Sequence, residues 1–453
     1  MQNKFTLLIL PLIISGCVNL APEYKKPDNI IPKEIVNIGI EDNVIVPDDL
    51  FWKNYINNEK LKNVVELGLL NNKDLKIAIN NIEIARAKYG IEKSNRLPQV
   101  DINYNGQIGK TESNKLDNAS LNANISSYEL DVFSRVKNLS ESALQDYLNT
   151  NEIKNYNEIL IRNEIIKSYY DIAYHKEAFN ISKKSEINNY KNLEIIQKRL
   201  DNGLSTEKDL SDAKSSYYKS KSDSLMYQTN IDKSINYLNY LIGKKLDNSI
   251  LPNGTKELNN SIKKLNKSFN SEILLNRPDI LAAEHVLKSK NANIGAARAA
   301  FLPKISLTAS NGIASNDLSD LFNNNFNTWS FIPNISIPIF NYGKNQSNLD
   351  ISIAEQKNAL IAYEKTLQKA FYDVLDQLSI KHNMEERLNS YNEVLKSSNL
   401  SYDLSLKSYN LGAKSYLEVL IAERALYSYQ IQNLELEKEN FYSQVDIYKV
   451  LGY

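Results

Sequence analysis

Arg96-Leu-Pro-Gln-Val-Asp-Ile-Asn-Tyr-Asn-Gly106 returns later in the chain as Phe301-Leu-Pro-Lys-Ile-Ser-Leu-Thr-Ala-Ser-Asn-Gly312. Pro98 biases Leu97 away from helix, and a period of two begins beyond it. Val100, Ile102, Tyr104 and Ile108 alternate with Gln99, Asp101, Asn103, Asn105 and Gln107, as in a strand with one apolar and one polar face. Leu121, Ala123 and Ile125 alternate with Asn122, Asn124 and Ser126 after a polar stretch from Lys110 to Asn118, which gives a hairpin over about 99–129. In the later copy Ile305, Leu307 and Ala309 alternate with Lys304, Ser306, Thr308 and Ser310. Trp329, Phe331, Ile335, Ile337 and Ile339 then alternate with mostly polar neighbours, a second hairpin over about 304–339. Each strand has about 10 residues, the length a tilted strand needs to cross a hydrocarbon core. A soluble sheet edge would alternate in the same way.

Other landmarks repeat in the same order, at an offset of roughly 205 to 209 residues. Phe133 answers Phe340, Gly203 in Arg199-Leu-Asp-Asn-Gly answers Gly412 in Tyr409-Asn-Leu-Gly, and Gly243 answers Gly452. Neither Gly nor Pro interrupts the tracts from Ser134 to Asp201 and from Asn345 to Leu411, so each reads as one helix of about 100 Å. Leu360, Tyr363, Leu367, Phe371, Val374 and Leu378 follow the 3-4 spacing of coiled-coil packing. Gly203 and Gly412 each turn a long helix back on a shorter antiparallel one. The chain therefore divides into 59–250, a first copy, and 272–453, a second copy, joined by a linker over 251–271.

Composition excludes more than it assigns. Lys+Arg and Asp+Glu number 54 each, which leaves no basic excess for nucleic acid. His175, His285 and His382 are scattered without metal-ligand spacing, and there is no phosphate-cradling glycine loop or nucleophile with a base, so the chain reads as no enzyme and as needing no cofactor. The N-terminus carries an address. Lys4 precedes an apolar run, Phe5 to Ile14, too short to span a bilayer, and Ile14-Ser15-Gly16-Cys17 looks like a bacterial lipobox. Cys17 is the one cysteine and has no disulfide partner, so residues 1–16 read as a signal peptide and Cys17 as the lipidated start of a proline-bearing tether over 17–58. Val18 in place of Asp favours the outer membrane.

Four membrane-length strands cannot close a barrel alone, because small barrels need about eight and open edges are not tolerated in lipid. Three copies would give twelve strands, enough for a pore lined by the polar faces.

Leu275-Asn-Arg-Pro-Asp-Ile-Leu-Ala-Ala-Glu284, continuing through Ile294-Gly-Ala-Ala-Arg-Ala-Ala-Phe-Leu-Pro-Lys-Ile-Ser-Leu-Thr308, closely resembles the signature of the outer-membrane efflux proteins, the TolC-type channels, in their lipoprotein branch. Ala21-Pro-Glu-Tyr-Lys-Lys-Pro27 resembles the stretch after that branch's lipidated cysteine, and Tyr128-Glu-Leu-Asp-Val-Phe-Ser-Arg135 its strand-to-helix corner. The resemblance implies a mixed α+β membrane protein: a homotrimer with a twelve-stranded barrel, four strands per chain, continued by an α-helical coiled-coil periplasmic tunnel. It further implies an exit duct that docks a periplasmic adaptor and an inner-membrane pump, usually of the resistance-nodulation-division type, and passes drugs or other small molecules outward.

The same resemblance puts the turns after Gly203 and Gly412 at a periplasmic tip. Residues matching Asp209, Tyr409 and Lys414 resemble a network of hydrogen bonds and ion pairs that holds an iris-like gate, and those matching Leu417 and Glu418 resemble constriction rings. Lys414 and Glu418 are also spaced as a simple solvated i,i+4 pair. Ile421 stands where some relatives have a second acidic ring. Two other readings share parts of the pattern: a conduit for type I protein or peptide secretion, and a coiled-coil envelope lipoprotein without a pore, which leaves the symmetric strands unexplained.

Overall fold

The computed structural model describes residues 18–27, 41–44, 51–110, 112, 117–265, 267–268, 271–316, 320–322 and 327–453. Cys17 and the signal stretch lie outside the described residues. Helix α1 (Glu59–Asn71) starts at Asn58, whose side chain accepts the Leu61 N–H at 3.0 Å. The apolar pattern from Glu59 to Pro98 reads as one helix, but Asn72 divides it. Its side-chain oxygen accepts the Leu75 N–H at 3.0 Å and starts α2 (Lys73–Ser94), while its Nδ2 donates to the Leu241 carbonyl at 2.6 Å. A buried asparagine that makes both bonds is worth more than an unbroken helix.

Strands β1 (Val100–Gln107) and β2 (Asn118–Glu129) form the first hairpin; β3 (Lys304–Ser315) and β4 (Asn327–Ser336) form the second. The three pairs of this sheet are antiparallel, in the order β1-β2-β3-β4, so β2 and β3 join the two hairpins edge to edge. The last strand ends at Ser336, short of the Ile339 that alternation suggests, where Pro338 has no N–H to give a ladder. Register sorts the side chains by face. Ile102, Ala123, Asn311 and Trp329 share one row, with Val100, Ile125, Ala309 and Phe331 in the next row on the same side. Asn103, Asn122, Gly312 and Thr328, then Asp101, Asn124, Ser310 and Ser330, lie on the other side. The apolar rows are open at the surface of one chain: Ile102 is 75 % exposed and Trp329 79 %. Soluble monomers seldom leave such a face uncovered, whereas a lipid-facing sheet requires it.

The strand-to-helix corner is built from charges. Asp131 accepts the N–H groups of Val136 and Lys137 at 2.9 and 2.7 Å and so caps α3 (Arg135–Asp201). Arg135 meets Glu129 with two bonds of 2.8 and 2.7 Å, and Lys304 reaches the same carboxylate at 3.0 Å. Helix α4 (Glu207–Ile242) follows; α5 (Pro278–Ala299) opens with proline in its first turn, where the missing N–H is not needed. Helices α6 (Lys344–Asn410) and α7 (Tyr416–Val450) complete the chain.

The described residues form two compact units. One holds 18–27, 79–153 and 279–366, and therefore the sheet. Its N-terminal stretch is tied down by main-chain acceptors: Arg298 Nη1 donates to the Leu20 carbonyl at 3.0 Å and Asn291 Nδ2 to that of Pro22 at 2.8 Å. A Cβ on Gly295 would stand 2.7 Å from the Ala21 nitrogen, so the glycine of the signature motif admits this stretch. The other unit holds 41–44, 51–78, 154–265, 267–268, 271–278 and 367–453, with a core in which Tyr55 stacks on Tyr448 at 3.8 Å and Tyr170 on Phe441 at 4.1 Å. Arg277, from the same signature, donates Nη1 to the Val450 carbonyl at 2.5 Å and satisfies the end of α7.

The sheet has one position without room for a side chain. A Cβ at Gly312 would lie 2.1 Å from the Leu121 carbonyl oxygen and 2.4 Å from Asn122 Oδ1. Gly312→Ala must part β2 from β3, and we expect destabilisation of about 1–3 kcal/mol, read as a lower melting temperature in detergent. An unchanged melting temperature would show that the two hairpins tolerate separation.

Candidate functional site

Both hairpin turns end their long helices in the same way. Gly203 and Gly412 sit at φ 71° and 72°, where a side chain would strain the backbone. Leu204 N–H bonds to the Arg199 carbonyl at 2.7 Å and Ala413 N–H to that of Ser408 at 2.9 Å, the six-to-one bond of a Schellman stop. Beneath the turns a small apolar cluster packs Ile196, Leu210 and Ala213 with Tyr416, Val419 and Leu420, joining the α3–α4 hairpin to the α6–α7 hairpin.

Asp209 sits in a capping box. Its Oδ2 accepts the Thr206 N–H at 3.1 Å, the Thr206 hydroxyl at 2.8 Å and the Ser205 hydroxyl at 3.2 Å, while Thr206 Oγ1 accepts the Asp209 N–H at 3.1 Å. The Thr206 hydroxyl first, then its N–H and the Ser205 hydroxyl, hold the Asp209 carboxyl below its ordinary range. Tyr409 lies with its ring 4.6 Å from the Arg199 guanidinium and 5.5 Å from the Tyr416 ring. Burial pushes its hydroxyl up, Arg199 opposes the rise, and the Asp209 carboxylate adds to it. Asp209 and Tyr409 thus share one electrostatic environment with Arg199 between the hairpins. Lys414 does not join them: its Nζ stands 2.5 Å from Glu418 Oε2, four residues on, with both side chains about half exposed. Such a pair contributes about 0.2–1 kcal/mol. Leu417 and Ile421 are 49 % and 59 % exposed on the same helix.

Two residues of this region escape the sequence pattern. Arg199 is a cation in the last turn of α3, which by itself reads as a helix-dipole partner. Glu423 follows Val419 and Leu420 at core spacing, so a carboxylate where an apolar side chain belongs is the signal that could have found it. It is 8 % exposed, and neither of its oxygens has a hydrogen-bond partner among the described residues. Burial pushes its carboxyl up to about 7 against the opposing pull of Arg424. The histidines lie elsewhere: His285 Nδ1 is 2.7 Å from Gln145 Oε1, and His175 is edge-on to Tyr174, with burial pushing it down to about 4.

A membrane-length antiparallel sheet with one apolar and one polar face, carried on helices of 67 residues, defines an outer-membrane channel protein. Residues 64–244 and 270–453 match the model of the outer membrane efflux protein family, and the chain belongs to that family. It is 34 % identical over 450 residues to the cation efflux system protein CusC of Escherichia coli (strain K12), covering 97 % of each chain. Identity to the solvent efflux pump outer membrane protein SrpC of Pseudomonas putida is 34 % over 464 residues, covering 100 % of this chain and 98 % of SrpC. The probable outer membrane lipoprotein SilC of Salmonella typhimurium is 32 % identical over 452 residues, covering 97 % and 96 %. A crystal structure of CusC matches with a TM-score of 0.87 at 33 % identity, covering 96 % of this chain and 99 % of that one. The protein is an efflux channel of the outer membrane.

The Glu423 carboxyl titrates near 4.5 when unfolded and near 7 when folded, so folding takes up a proton between these values and stability falls as pH rises through that window. Wild-type protein is expected to lose about 2–3 kcal/mol between pH 5 and pH 8 that Glu423→Gln does not lose, read by denaturation at both pH values. Parallel pH dependence in the two proteins would return Glu423 to the ordinary range.

Proposed function

We propose that three copies of the chain close a twelve-stranded barrel continued by a helical tunnel, and that a periplasmic adaptor and an inner-membrane pump of the resistance-nodulation-division type deliver small molecules into it. The observation that carries this reading is the two-faced sheet, in which β1 and β4 are the outer strands and pair on one side only. Their free N–H and C=O groups need partners in lipid, and neighbouring copies supply them. Two copies would give eight strands, whose interior fills with side chains; three leave a water-filled lumen. Within this assembly the two copies of the repeat, 59–250 and 272–453, each supply a hairpin and a long helix around the axis.

Conduction is passive, with no resident cofactor, and transport energy enters through the pump. Cys17 carries the anchoring lipid, a reading supported by the lipobox sequence and by the description of SilC as a lipoprotein. CusC is described by cation efflux and SrpC by solvent efflux, so the substrate is set by what the pump delivers more than by the channel fold.

The gate lies at the two hairpin turns. Tyr409, packed on Arg199 of the other hairpin and close to Asp209, holds the hairpins in the closed arrangement, Lys414 positions the Glu418 carboxylate, and Leu417 and Glu418 of three chains line the constriction, where three carboxylates attract cations. Support comes from the shared environment of Asp209, Tyr409 and Arg199 and from the exposure of Leu417 beside Glu418. Bonds of this modest strength persist at rest yet yield to a docking partner.

Purification in detergent should give a particle of three chains that conducts in planar bilayers, and a monomer without conductance would overturn the assembly. The double variant Asp209→Ala with Lys414→Ala should conduct several-fold more than wild type. Equal conductance would move the gate elsewhere.

A further inference from the structure

Helices α3, α4 and α7 line a half-open cavity of about 410 Å³ beside the apolar cluster that joins the hairpins. Glu423, Arg424 and Tyr427 of α7 line it, with Ser216 and Ser220 of α4 and Asn189 of α3. Several of its polar groups are already bonded: Arg424 Nη2 donates to Ser216 Oγ at 3.0 Å, the Ser220 hydroxyl to the Tyr217 carbonyl at 2.9 Å, and Asn189 Nδ2 to Ser185 Oγ at 3.2 Å. Tyr427 Oη is bonded to Ser182 Oγ at 2.9 Å, and Lys219 Nζ stands 2.5 Å from Asp223 Oδ1. Three acceptor oxygens stand apart. Both oxygens of Glu423 and Oδ1 of Asn189 have no partner among the described residues, and these side chains are 8 % and 6 % exposed. A buried carboxylate and amide oxygen left open call for a ligand that brings donors and positive charge. Leu420 and the Tyr427 ring add an apolar wall.

We propose that this cavity binds a small organic ammonium cation, whose N–H groups donate to the Glu423 carboxylate and to Asn189 Oδ1 while its hydrocarbon part lies against Leu420 and Tyr427. The volume suits a small molecule and exceeds what a bare ion needs. Among the described residues no group of three or more His, Cys, Asp or Glu could hold a metal ion. Of the carboxylates around the site Glu423 is the one open to pairing, since Asp223 and Glu186 already have lysine partners. Arg424 is its neighbour on α7, Lys219 and Asp223 pair with each other on α4, and Glu186 on α3 is bonded to Lys183 and Ser224. Tyr402 of α6 and Tyr416 of α7, whose hydroxyls burial first and Glu423 next push up, are neutral donors near it. Because burial also holds the Glu423 carboxyl up to about 7, ammonium binding displaces a proton, and affinity rises with pH to neutrality.

The site lies within one chain and does not depend on the trimer or the gate, so its test is separate from theirs. Full-length protein in detergent is titrated calorimetrically with benzylammonium at pH 6 and pH 8. Saturable binding of one ligand per chain is expected, about tenfold tighter at pH 8 as the ionised fraction grows. Glu423→Gln should weaken binding at least about tenfold and remove its pH dependence. Asn189→Leu, which keeps the carboxylate, should also weaken it, so the outcome does not hang on one variant folding. Benzyltrimethylammonium, with the same charge and no N–H, should bind about tenfold more weakly than benzylammonium. Absence of saturable binding to wild type, unchanged affinity in either folded variant, or equal binding of the trimethylated probe would overturn the proposal.

Discussion

Hydrocarbon offers no hydrogen bonds, and each backbone N–H or C=O left unpaired in it costs several kcal/mol. This constraint governs what a chain with four membrane-length strands can be. Pairing β2 with β3 satisfies the inner edges of the two hairpins and still leaves β1 and β4 with one side each. The same pairing sets the register that gathers Ile102, Ala123 and Trp329 on one face and Asn103, Asn122 and Thr328 on the other. A slip of one residue would reverse both faces. Gly312 lets the joint close, since any side chain there would meet the Leu121 carbonyl.

Helices that continue from such a sheet have no large globular core to enter, and tyrosine makes up part of the deficit. The chain has 28 of them, an abundance that sequence alone attributes as readily to genome bias as to chemistry. In the larger unit several are buried with the hydroxyl bonded to a main-chain carbonyl: Tyr169 to Ile250 at 2.7 Å and Tyr448 to Lys263 at 2.8 Å. A tyrosine buries about as much area as phenylalanine and also satisfies an irregular segment that no ladder reaches. Arg277 does the same for the end of α7. Much of the family signature is therefore structural, holding chain ends and close approaches in place.

Toward the hairpin turns the packing changes character. Apolar cluster, capping box and cation–π contact are each modest, and the strongly perturbed carboxylate of this region, Glu423, sits at a core position with nothing to bond. Cores tolerate an unsatisfied charge poorly, so its persistence among serines and an asparagine marks a place where stability is sacrificed for another end. The Lys414–Glu418 pair is the opposite case: half exposed, local to one helix and cheap to break.

Sequence by itself determined the elements that depend on local chemistry. Alternation located the four strands, the absence of Gly and Pro fixed two helices of 67 residues, and Gly203 and Gly412 marked their turns, because each signal lies within a few residues of the structure it specifies. The break at Asn72 was hidden, since it rests on the Leu241 carbonyl far along the chain. The site was only partly legible for the same reason. Asp209, Tyr409 and Lys414 are named through the family resemblance and the Lys414–Glu418 spacing is visible in the chain, but only tertiary structure decided that Arg199 packs on Tyr409 and that Glu423 is buried without a partner. Burial and the partners of a charge are properties of packing between distant segments, and no local pattern encodes them.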